Sequence, residues 1–150
     1  MSAPLQDYAK TIYALTRDGR PAETRLLAGR LRCSEAAVSK MLKSLARDGY
    51  VAHTPYRGCT LTAKGESVAL ETIRHHRLLE RYLTDHLGFD PADAHEQAEI
   101  LEHHISEEFE DRIAGVMGEP ATCPHGRPIP PKPRPATPPL RKPGRARRSP

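Results

Sequence analysis

One stretch of the chain decides the fold: residues 34–62, SEAAVSKMLKSLARDGYVAHTPYRGCTLT. In its first half, Val38 and Leu42 stand at helical spacing, and Ser34 in front of them is a good N-cap. Its second half has two short β-prone runs on either side of a turn that contains Gly58. The stretch therefore predicts a helix followed directly by a hairpin.

Two more helices precede this stretch. Apolar residues at helical spacing predict one over about residues 5–17 and another over about residues 23–31, and a turn over residues 18–21 separates them. Helix, turn, helix and hairpin in this order are typical of a winged helix-turn-helix. We predict such a domain over residues 1–64, with the third helix as the recognition helix and the hairpin as the wing.

The chain after residue 62 is predicted to be helical. A long helix should run to about residue 87, and Asp90 with Pro91 can begin the next helix after a break. That helix is expected to run through His104, and Ser106 can cap a further one to about residue 117. The predicted fold class is mostly α with a small β-hairpin wing: a winged helix-turn-helix followed by a helical domain over residues 65–130.

The net charge of +4 conceals three segments of opposite sign. Residues 1–64 carry +6, residues 65–126 carry −10 and residues 127–150 carry +8. Seven of the eight histidines lie in the acidic middle segment. The basic N-terminal segment indicates a polyanion as partner, and the mixture of carboxylates and imidazoles indicates a divalent first-row metal ion.

Residues that face outward at the start of the third helix are candidates for contact with double-stranded DNA. An α-helix fits the major groove and reads base edges with its first turns. Small side chains allow close approach there, while hydroxyl, ammonium and guanidinium groups can bond to bases or phosphates. The DNA-binding candidates are Ser34, Ala36, Ala37, Ser39, Lys40, Lys43 and, at the tip of the wing, Arg57. The alternative is a small helical domain with a solvated basic face.

A second set of residues has the spacing of metal ligands. The candidates are His95, Glu99, Glu102 and His103 on one predicted helix, at i, i+4, i+7 and i+8, the i, i+4 pair His76 and Glu80 on the helix before it, and Asp7 on the first helix. Carboxylate and imidazole donors without a thiolate favour Mn(II), with Fe(II) as the other possibility, over a structural zinc site. The alternative is an exposed acidic helix surface.

Other features exclude several classes of protein. No apolar run approaches the roughly 18 residues of a membrane span, and the first residues lack the pattern of a signal peptide. Three cysteines at wide spacing do not make a disulfide framework. We therefore expect a cytoplasmic protein without a membrane partner. We do not expect an enzyme, because the sequence shows no activated nucleophile. Cys123 and His125 are too few for a metal site, so we interpret residues 123–126 as a structural turn.

Several motifs resemble the diphtheria toxin repressor family of metal-dependent regulators. They span roughly residues 5–130 and are Asp7-Tyr8 with Ile12-Tyr13, HRLLER at 76–81, AHEQAE at 94–99, LEHHIS at 101–106, and CPHG at 123–126 with PIP at 128–130. The resemblance implies a homodimer that binds palindromic operator DNA when a divalent metal ion is bound. It implies that Asp7, Glu99, Glu102 and His103 hold one ion, that His76, Glu80 and His95 hold a neighbouring one, and that Ser34, Ala36, Ser39 and Lys40 contact DNA.

The chain also departs from that family pattern. Carboxylates at Asp7 and Glu99 resemble the manganese-responsive branch, because iron-responsive members carry Met and Cys there. Lys10, however, stands where the manganese branch has a Glu ligand, and an ammonium cannot ligate as a cation. Instead of an SH3-like domain, residues 131–150 form a basic, proline-rich tail that is predicted to be disordered. This tail either adds sequence-independent affinity for DNA or only keeps the protein in solution.

Two hypotheses about function remain. The first is a metal-dependent transcriptional regulator, in the form of a repressor, that controls metal-ion homeostasis genes and is activated by Mn(II) or Fe(II). The second is a metal-independent winged-helix regulator whose polar helical region is only a dimer surface.

Overall fold

The computed structural model of the protein describes residues 2–132. Its elements in chain order are α1 (Ala3–Leu15), α2 (Thr24–Leu31), α3 (Glu35–Arg47), β1 (Val51–Thr54), β2 (Gly58–Leu61), α4 (Ala63–Leu87), α5 (Pro91–Leu101) and α6 (Glu107–Val116). The predicted order of three helices, a hairpin and further helices is confirmed. The predicted tail lies outside the described residues, apart from Pro131 and Lys132.

Hydroxyl side chains cap the helices whose starts matter most for the fold. The Oγ atom of Ser34 accepts a hydrogen bond from the backbone N–H of Ala37, as predicted for α3. Thr62 caps α4 and Ser106 caps α6 in the same way. Each such cap contributes about 1 kcal/mol to the stability of its helix. Asp90 lies at the N-cap position of α5, but its side chain makes no capping hydrogen bond.

The helix α5 ends three residues earlier than predicted. It ends at Leu101 instead of running through His104, and the backbone N–H of His104 bonds to the Leu101 carbonyl in a tight turn. Ile105 packs into the core in this turn, and Ser106 already begins α6. Glu102 is therefore the C-cap residue of α5, and its neighbour His103 does not continue the helix face predicted for it.

The wing is held against the segment that precedes α2. Strands β1 and β2 are antiparallel, with Val51 opposite Leu61, and the backbone of Cys59 exchanges two hydrogen bonds with that of Ala22. Gly58 has a φ of 110°, and a Cβ atom there would lie 2.2 Å from the Ala22 carbonyl oxygen. Only glycine fits this close approach, so the position of the wing relative to α3 is fixed.

Two hydrophobic cores lie along α4, one at its start and one at its middle. The first joins α1, α2, α3 and the hairpin to the start of α4, and its fully buried side chains include Ile12, Leu27, Val38 and Leu42. The second joins the middle of α4 to α5, α6 and the segment around Ile129. The metal candidates of α4, His76 and Glu80, lie beside the residues that this helix contributes to the second core. Among the described residues, no helix combines the length and the apolar character that crossing a lipid bilayer requires.

Candidate metal centre and nucleic-acid interface

The seven predicted metal ligands lie side by side along one polar seam. Asp7 comes from α1, two candidates come from α4 and two from α5, while Glu102 and His103 come from the turn after α5. The set Asp7, Glu99, Glu102 and His103 is named the α1 cluster here. The remaining candidates, His76, Glu80 and His95, continue the seam away from α1.

The α1 cluster joins the two cores of the protein. The Nε2 atom of His103 lies 3.0 Å from Oδ1 of Asp7 and 3.6 Å from Oε1 of Glu102. These three side chains could direct one ligand atom each at a common ion. Burial raises the pKa of Asp7, although His103 and Lys10 act against this rise. A cation placed between these groups would keep both carboxylates ionised and would compensate their repulsion.

Gln6 is a neighbour of the candidate site that the sequence did not reveal. Its side chain is buried, and its Oε1 atom accepts a hydrogen bond from Nδ1 of His103 over 2.6 Å. This bond orients the imidazole so that Nε2 faces Asp7 and Glu102. Hydrogen bonds of this kind orient a histidine ligand and select its tautomer.

His76 is the centre of the seam. Its Nδ1 atom lies 2.5 Å from Oε2 of Glu102, and its Nε2 atom contacts Glu80 and lies 3.1 Å from Nδ1 of His95. Burial alone would lower the pKa of His76, but hydrogen bonds to Glu102 and Glu80 outweigh it and raise this pKa. His76 is therefore protonated over a wider pH range than a free histidine, and metal binding there would release a proton.

Glu80, Cys123 and His125 form a further group of possible ligands, named the loop cluster here. The predicted turn over residues 123–126 is present, because the Gly126 N–H bonds to the Cys123 carbonyl. The turn nevertheless points both side chains at α4, where His125 Nδ1 lies 2.5 Å from Oε2 of Glu80. One ligand atom from each of the three residues lies within 4.8 Å of the others. Our interpretation of these residues as only a turn was therefore incomplete, since Glu80 supplies a third donor.

Glu80 is a buried carboxylate that two histidines stabilise in its ionised form. Its burial would raise its pKa, but hydrogen bonds and charge from His76 and His125 lower the pKa of Glu80 to about 2. Glu80 therefore stays ionised at physiological pH. An ionised, buried carboxylate that faces several imidazoles can exchange their protons for a divalent ion.

Lys10 occupies the other end of the seam. Its ammonium lies 2.7 Å from Oε1 of Glu102 and 3.2 Å from Oε1 of Glu99. Burial would lower the pKa of Lys10, but Glu102 and Glu99 raise it above its ordinary value. The ammonium therefore remains charged among the carboxylates.

A cavity of about 670 Å³ gives ions access to the seam. Its lining includes five of the metal candidates, namely Asp7, His76, Glu80, His95 and Glu99. The lining also includes five arginines, namely Arg17, Arg30, Arg32, Arg77 and Arg127. The cavity therefore offers both ligands for a dication and positive charge that limits how many dications it attracts.

A buried ion-pair network supports α4 beneath the seam. The Glu110 carboxylate lies 2.5 Å from Nε of Arg74 and 2.6 Å from Nε2 of His75. Arg74 also donates a hydrogen bond to the Pro130 carbonyl. The network ties α4 to α6 and to the segment that carries the loop cluster. It also explains why His75 is not directed at the metal candidates.

The predicted DNA-binding residues form an exposed surface on α3 and the wing. Val38, Leu42 and Leu45 fix the opposite side of α3 in the first core. The DNA-binding candidates Ser34, Ala36, Ala37, Ser39, Lys40, Lys43 and Arg57 are all exposed. Because α3 is anchored along its length, this face is presented as a rigid unit, as groove recognition requires.

The wing tip carries a second exposed residue beside Arg57. Tyr56 is fully exposed and has a φ of 64°, a left-handed backbone conformation that is uncommon for a residue with a Cβ atom. The turn is closed by a hydrogen bond from the Arg57 N–H to the Thr54 carbonyl. The sequence predicted a turn here, but nothing in it singled out Tyr56.

Comparison with known proteins assigns a family to both parts of the chain. Residues 1–59 match the family model described as the iron dependent repressor N-terminal DNA binding domain. Residues 62–131 match the model described as the iron dependent repressor metal binding and dimerisation domain. Together the two models account for nearly all of the described residues.

Individual relatives agree with the family models. The chain is 38% identical over 123 residues to the diphtheria toxin repressor of Corynebacterium glutamicum, covering 82% of this chain and 54% of the relative. It is 39% identical over 118 residues to an uncharacterised HTH-type transcriptional regulator of Methanocaldococcus jannaschii, covering 78% of this chain and 94% of that relative. The chain thus spans about half the length of several curated relatives but nearly all of the archaeal one.

A solved structure shares the fold. It is a manganese-dependent transcriptional repressor in complex with manganese, with a TM-score of 0.77 and 36% sequence identity, covering 85% of this chain and 59% of that chain. From both family models and these relatives, the chain belongs to the iron-dependent repressor family, a family of DNA-binding regulators rather than enzymes that includes the diphtheria toxin repressor.

Proposed function

We propose that this chain is a metal-dependent repressor of metal-ion homeostasis genes, activated by Mn(II) or Fe(II). The observation that carries the proposal is the contact between Asp7 of α1 and His103 after α5. Asp7 lies on a helix that packs in the first core and His103 follows a helix that packs in the second, and each places a ligand atom beside the other. An ion bound by both would fix α1, and with it α3, relative to α4. Binding to DNA would then depend on the metal ion.

The α1 cluster is proposed to hold the activating ion. Asp7, Glu99 and Glu102 offer carboxylate oxygens and His103 offers an imidazole nitrogen, a donor set that suits Mn(II) and Fe(II). When bound, the ion supplies a positive charge that holds these carboxylates together. The remaining candidates, His76, Glu80 and His95, are proposed as ligands of a neighbouring site. Cys123 of the loop cluster would add a sulfur ligand to this neighbouring site through Glu80, and a sulfur ligand favours softer metals than Mn(II).

The DNA partner is proposed to be double-stranded operator DNA, contacted through the exposed face of α3 and the wing. Two copies of the chain are proposed to bind it together. Large apolar side chains remain exposed on the half of the chain formed by α4–α6, namely Leu87, Phe89, Ile100, Leu101, Phe109 and Val116. A concentration of exposed apolar side chains is typical of an interaction surface, which supports a homodimer.

The two parts of the chain have different proposed roles. We propose that residues 1–64 bind DNA and that residues 65–130 bind metal and dimerise. We propose the cytoplasm as the location, because operator DNA and reduced cysteines such as Cys123 are found there.

Operator binding by the metal-free protein tests the proposal. DNA from upstream of the protein's own gene is titrated with protein in the presence of Mn(II), Fe(II) or Zn(II), and a chelator is then added. We expect binding to appear with Mn(II) or Fe(II) and to disappear with the chelator. A double variant, Glu102→Gln with His103→Ala, should lose the metal response. Glu96→Gln is the matched control, since Glu96 lies on α5 outside the seam.

The alternative predicts a different result in the same experiment. A metal-independent regulator would bind the operator equally well with and without the ion, and the double variant would bind like the wild type. Such a result would mean that the α1 cluster only stabilises the contact between the two cores.

A further inference from the structure

Lys10 inserts a positive charge among the proposed metal ligands. Its Nζ atom contacts both Glu102 and Glu99, and the Glu102 side chain is fully buried. The Lys10 side chain itself is only 21% exposed. Lysines on helix surfaces usually keep the ammonium in water. This one is instead held inside the α1 cluster by two carboxylates.

The charges of the cluster limit how many ions it can hold. Asp7, Glu99 and Glu102 together carry three negative charges, and the Lys10 ammonium compensates one of them. The two that remain match a single divalent ion. A second divalent ion would leave a partly buried site with a large excess of positive charge, and unpaired buried charge is strongly unfavourable.

We propose, building on the metal centre proposed above, that Lys10 is a tethered cation that restricts the α1 cluster to one divalent ion. The ammonium takes the position that a second ion would otherwise occupy beside Glu99 and Glu102. Lys10 thereby limits the α1 cluster to one metal ion per subunit.

Glu102 is the residue through which this restriction operates. Its Oε1 atom lies between the Lys10 ammonium at 2.7 Å and Nε2 of His103 at 3.6 Å, and its Oε2 atom faces His76 at 2.5 Å. A carboxylate has about four lone-pair sites, and Lys10 and His76 use two of them, so a metal ion can share Glu102 with the ammonium. A second ion beside Glu102 would lie next to the ammonium as well as the first ion, and the repulsion between these positive charges opposes it.

The proposal has a second consequence for the protein without metal. The ammonium bridges α1 to the end of α5 before any ion binds, since Glu99 and Glu102 are both held from Lys10. The carboxylates are thus already close together, and a single ion would add its bonds to the existing contact between Asp7 and His103.

The test counts Mn(II) ions in a Glu80→Gln background. Glu80 belongs to both groups of possible ligands that contain no residue of the α1 cluster, so this change removes a ligand from each of them. The remaining group, His76 with Glu99 and Glu102, shares two carboxylates with the α1 cluster, so a second ion bound there would be coupled to the first. Equilibrium dialysis with elemental analysis gives the number of ions per subunit. Electron paramagnetic resonance distinguishes an isolated Mn(II) ion from two ions that share a carboxylate, because the latter are magnetically coupled. With Lys10 present, we expect a single, isolated ion.

The decisive variant is Lys10→Glu, which replaces the ammonium by a further oxygen ligand. We expect it to bind one ion more per subunit and to give the spectrum of a coupled pair. Arg25→Glu is the matched control, because it makes the same change of charge at an exposed residue of α2 and should bind no additional ion. Lys10→Asp serves as a second variant if circular dichroism shows that Lys10→Glu is unfolded.

Two results would overturn the proposal. One is a coupled pair in the protein that retains Lys10, and the other is an unchanged ion count in the folded Lys10→Glu or Lys10→Asp protein. The unmodified chain is measured in parallel. Its failure to bind any Mn(II) would contradict the proposed function itself, whereas normal binding with an unchanged count in the variants would contradict only the role of Lys10.

Discussion

His103 Nε2 lies 3.0 Å from Oδ1 of Asp7, and this contact joins the turn after α5 to the first helix of the chain. Because α1 packs with α2 and α3 in the first core, we expect a change at Asp7 to affect the placement of the exposed face of α3. The same contact is remote from that face, so a metal effect on DNA binding would be transmitted through packing rather than through direct contact with DNA.

Asp7→Asn should weaken the metal response without disturbing the fold. The amide keeps the shape of the carboxylate but loses the negative charge that a dication requires. We expect Mn(II) to bind at least about tenfold more weakly, a loss of roughly 1.4 kcal/mol. The Mn(II) concentration needed for operator binding, measured by fluorescence anisotropy of labelled DNA, should rise by the same factor.

Asp18→Asn provides the control for this prediction. Asp18 lies just beyond the end of α1, is exposed and pairs only with Arg20. It should leave the Mn(II) midpoint unchanged. If Asp7→Asn and Asp18→Asn gave the same midpoint as the wild type, Asp7 would not be a ligand.

Cys123→Ala should remove a spectroscopic signature of the loop cluster while preserving the response of the α1 cluster. Co(II) bound to a thiolate gives an intense near-ultraviolet charge-transfer band, and we expect this band in the wild type. It should be absent in Cys123→Ala, while Mn(II)-dependent DNA binding persists. Cys33→Ala is the control, since Cys33 is exposed between α2 and α3. If Cys33→Ala lost the band instead, the thiolate that binds Co(II) would belong to Cys33, and the site would not include Glu80.

The fold could be predicted from the sequence because its signals are local. Ser34 and Ser106 mark helix starts through hydrogen bonds that span only three residues, and helical periodicity identifies α3 and α4. The end of α5 was placed wrongly because no Gly or Pro stands there. That helix ends where Ile105 packs into the second core, which is a tertiary effect that local propensity does not report.

The candidate site could be predicted only in part. The ligand-type residues of α4 and α5 were found because helical spacing places them on common faces. The partners that orient them come from distant parts of the chain: Gln6 is 97 residues from His103, and Cys123 reaches Glu80 only after the chain has turned back across α4. Spacing within one helix contains no information about such contacts.

Lys43→Ala should weaken binding to all DNA sequences to a similar degree. Lys43 is exposed on α3 and is expected to meet a phosphate, which carries no sequence information. Each lost phosphate contact should reduce the slope of log K against log salt by about 0.9. Binding titrations at several salt concentrations, with operator and unrelated DNA, measure this slope.

The control is Arg112→Ala, which changes an exposed arginine that pairs with Glu108 on α6. This variant should leave the slope unchanged. A loss confined to operator DNA would instead assign Lys43 to base recognition.

Glu110→Gln should destabilise the fold most strongly near neutral pH. Burial would raise the pKa of Glu110, but His75 and Arg74 outweigh it and hold this pKa below its ordinary value. The Glu110 carboxylate therefore binds its proton less tightly in the folded protein than in the unfolded chain. The stabilising contribution of this carboxylate is complete above about pH 4.5 and is lost as the pH falls through the pKa that Glu110 has in the folded protein. Because the variant leaves the Arg74 guanidinium buried without its carboxylate, we expect a loss of about 3 kcal/mol at pH 7.

Urea unfolding followed by circular dichroism at several pH values measures this difference. The gap between wild type and Glu110→Gln should be largest at neutral pH and should narrow in acid, since protonation of Glu110 removes from the wild type the charge that the variant already lacks. Glu108→Gln, at an exposed residue of the same helix, should change stability by less than about 1 kcal/mol. A gap that stayed constant from pH 7 to pH 3 would mean that Glu110 acts through its shape and hydrogen bonds rather than through its charge.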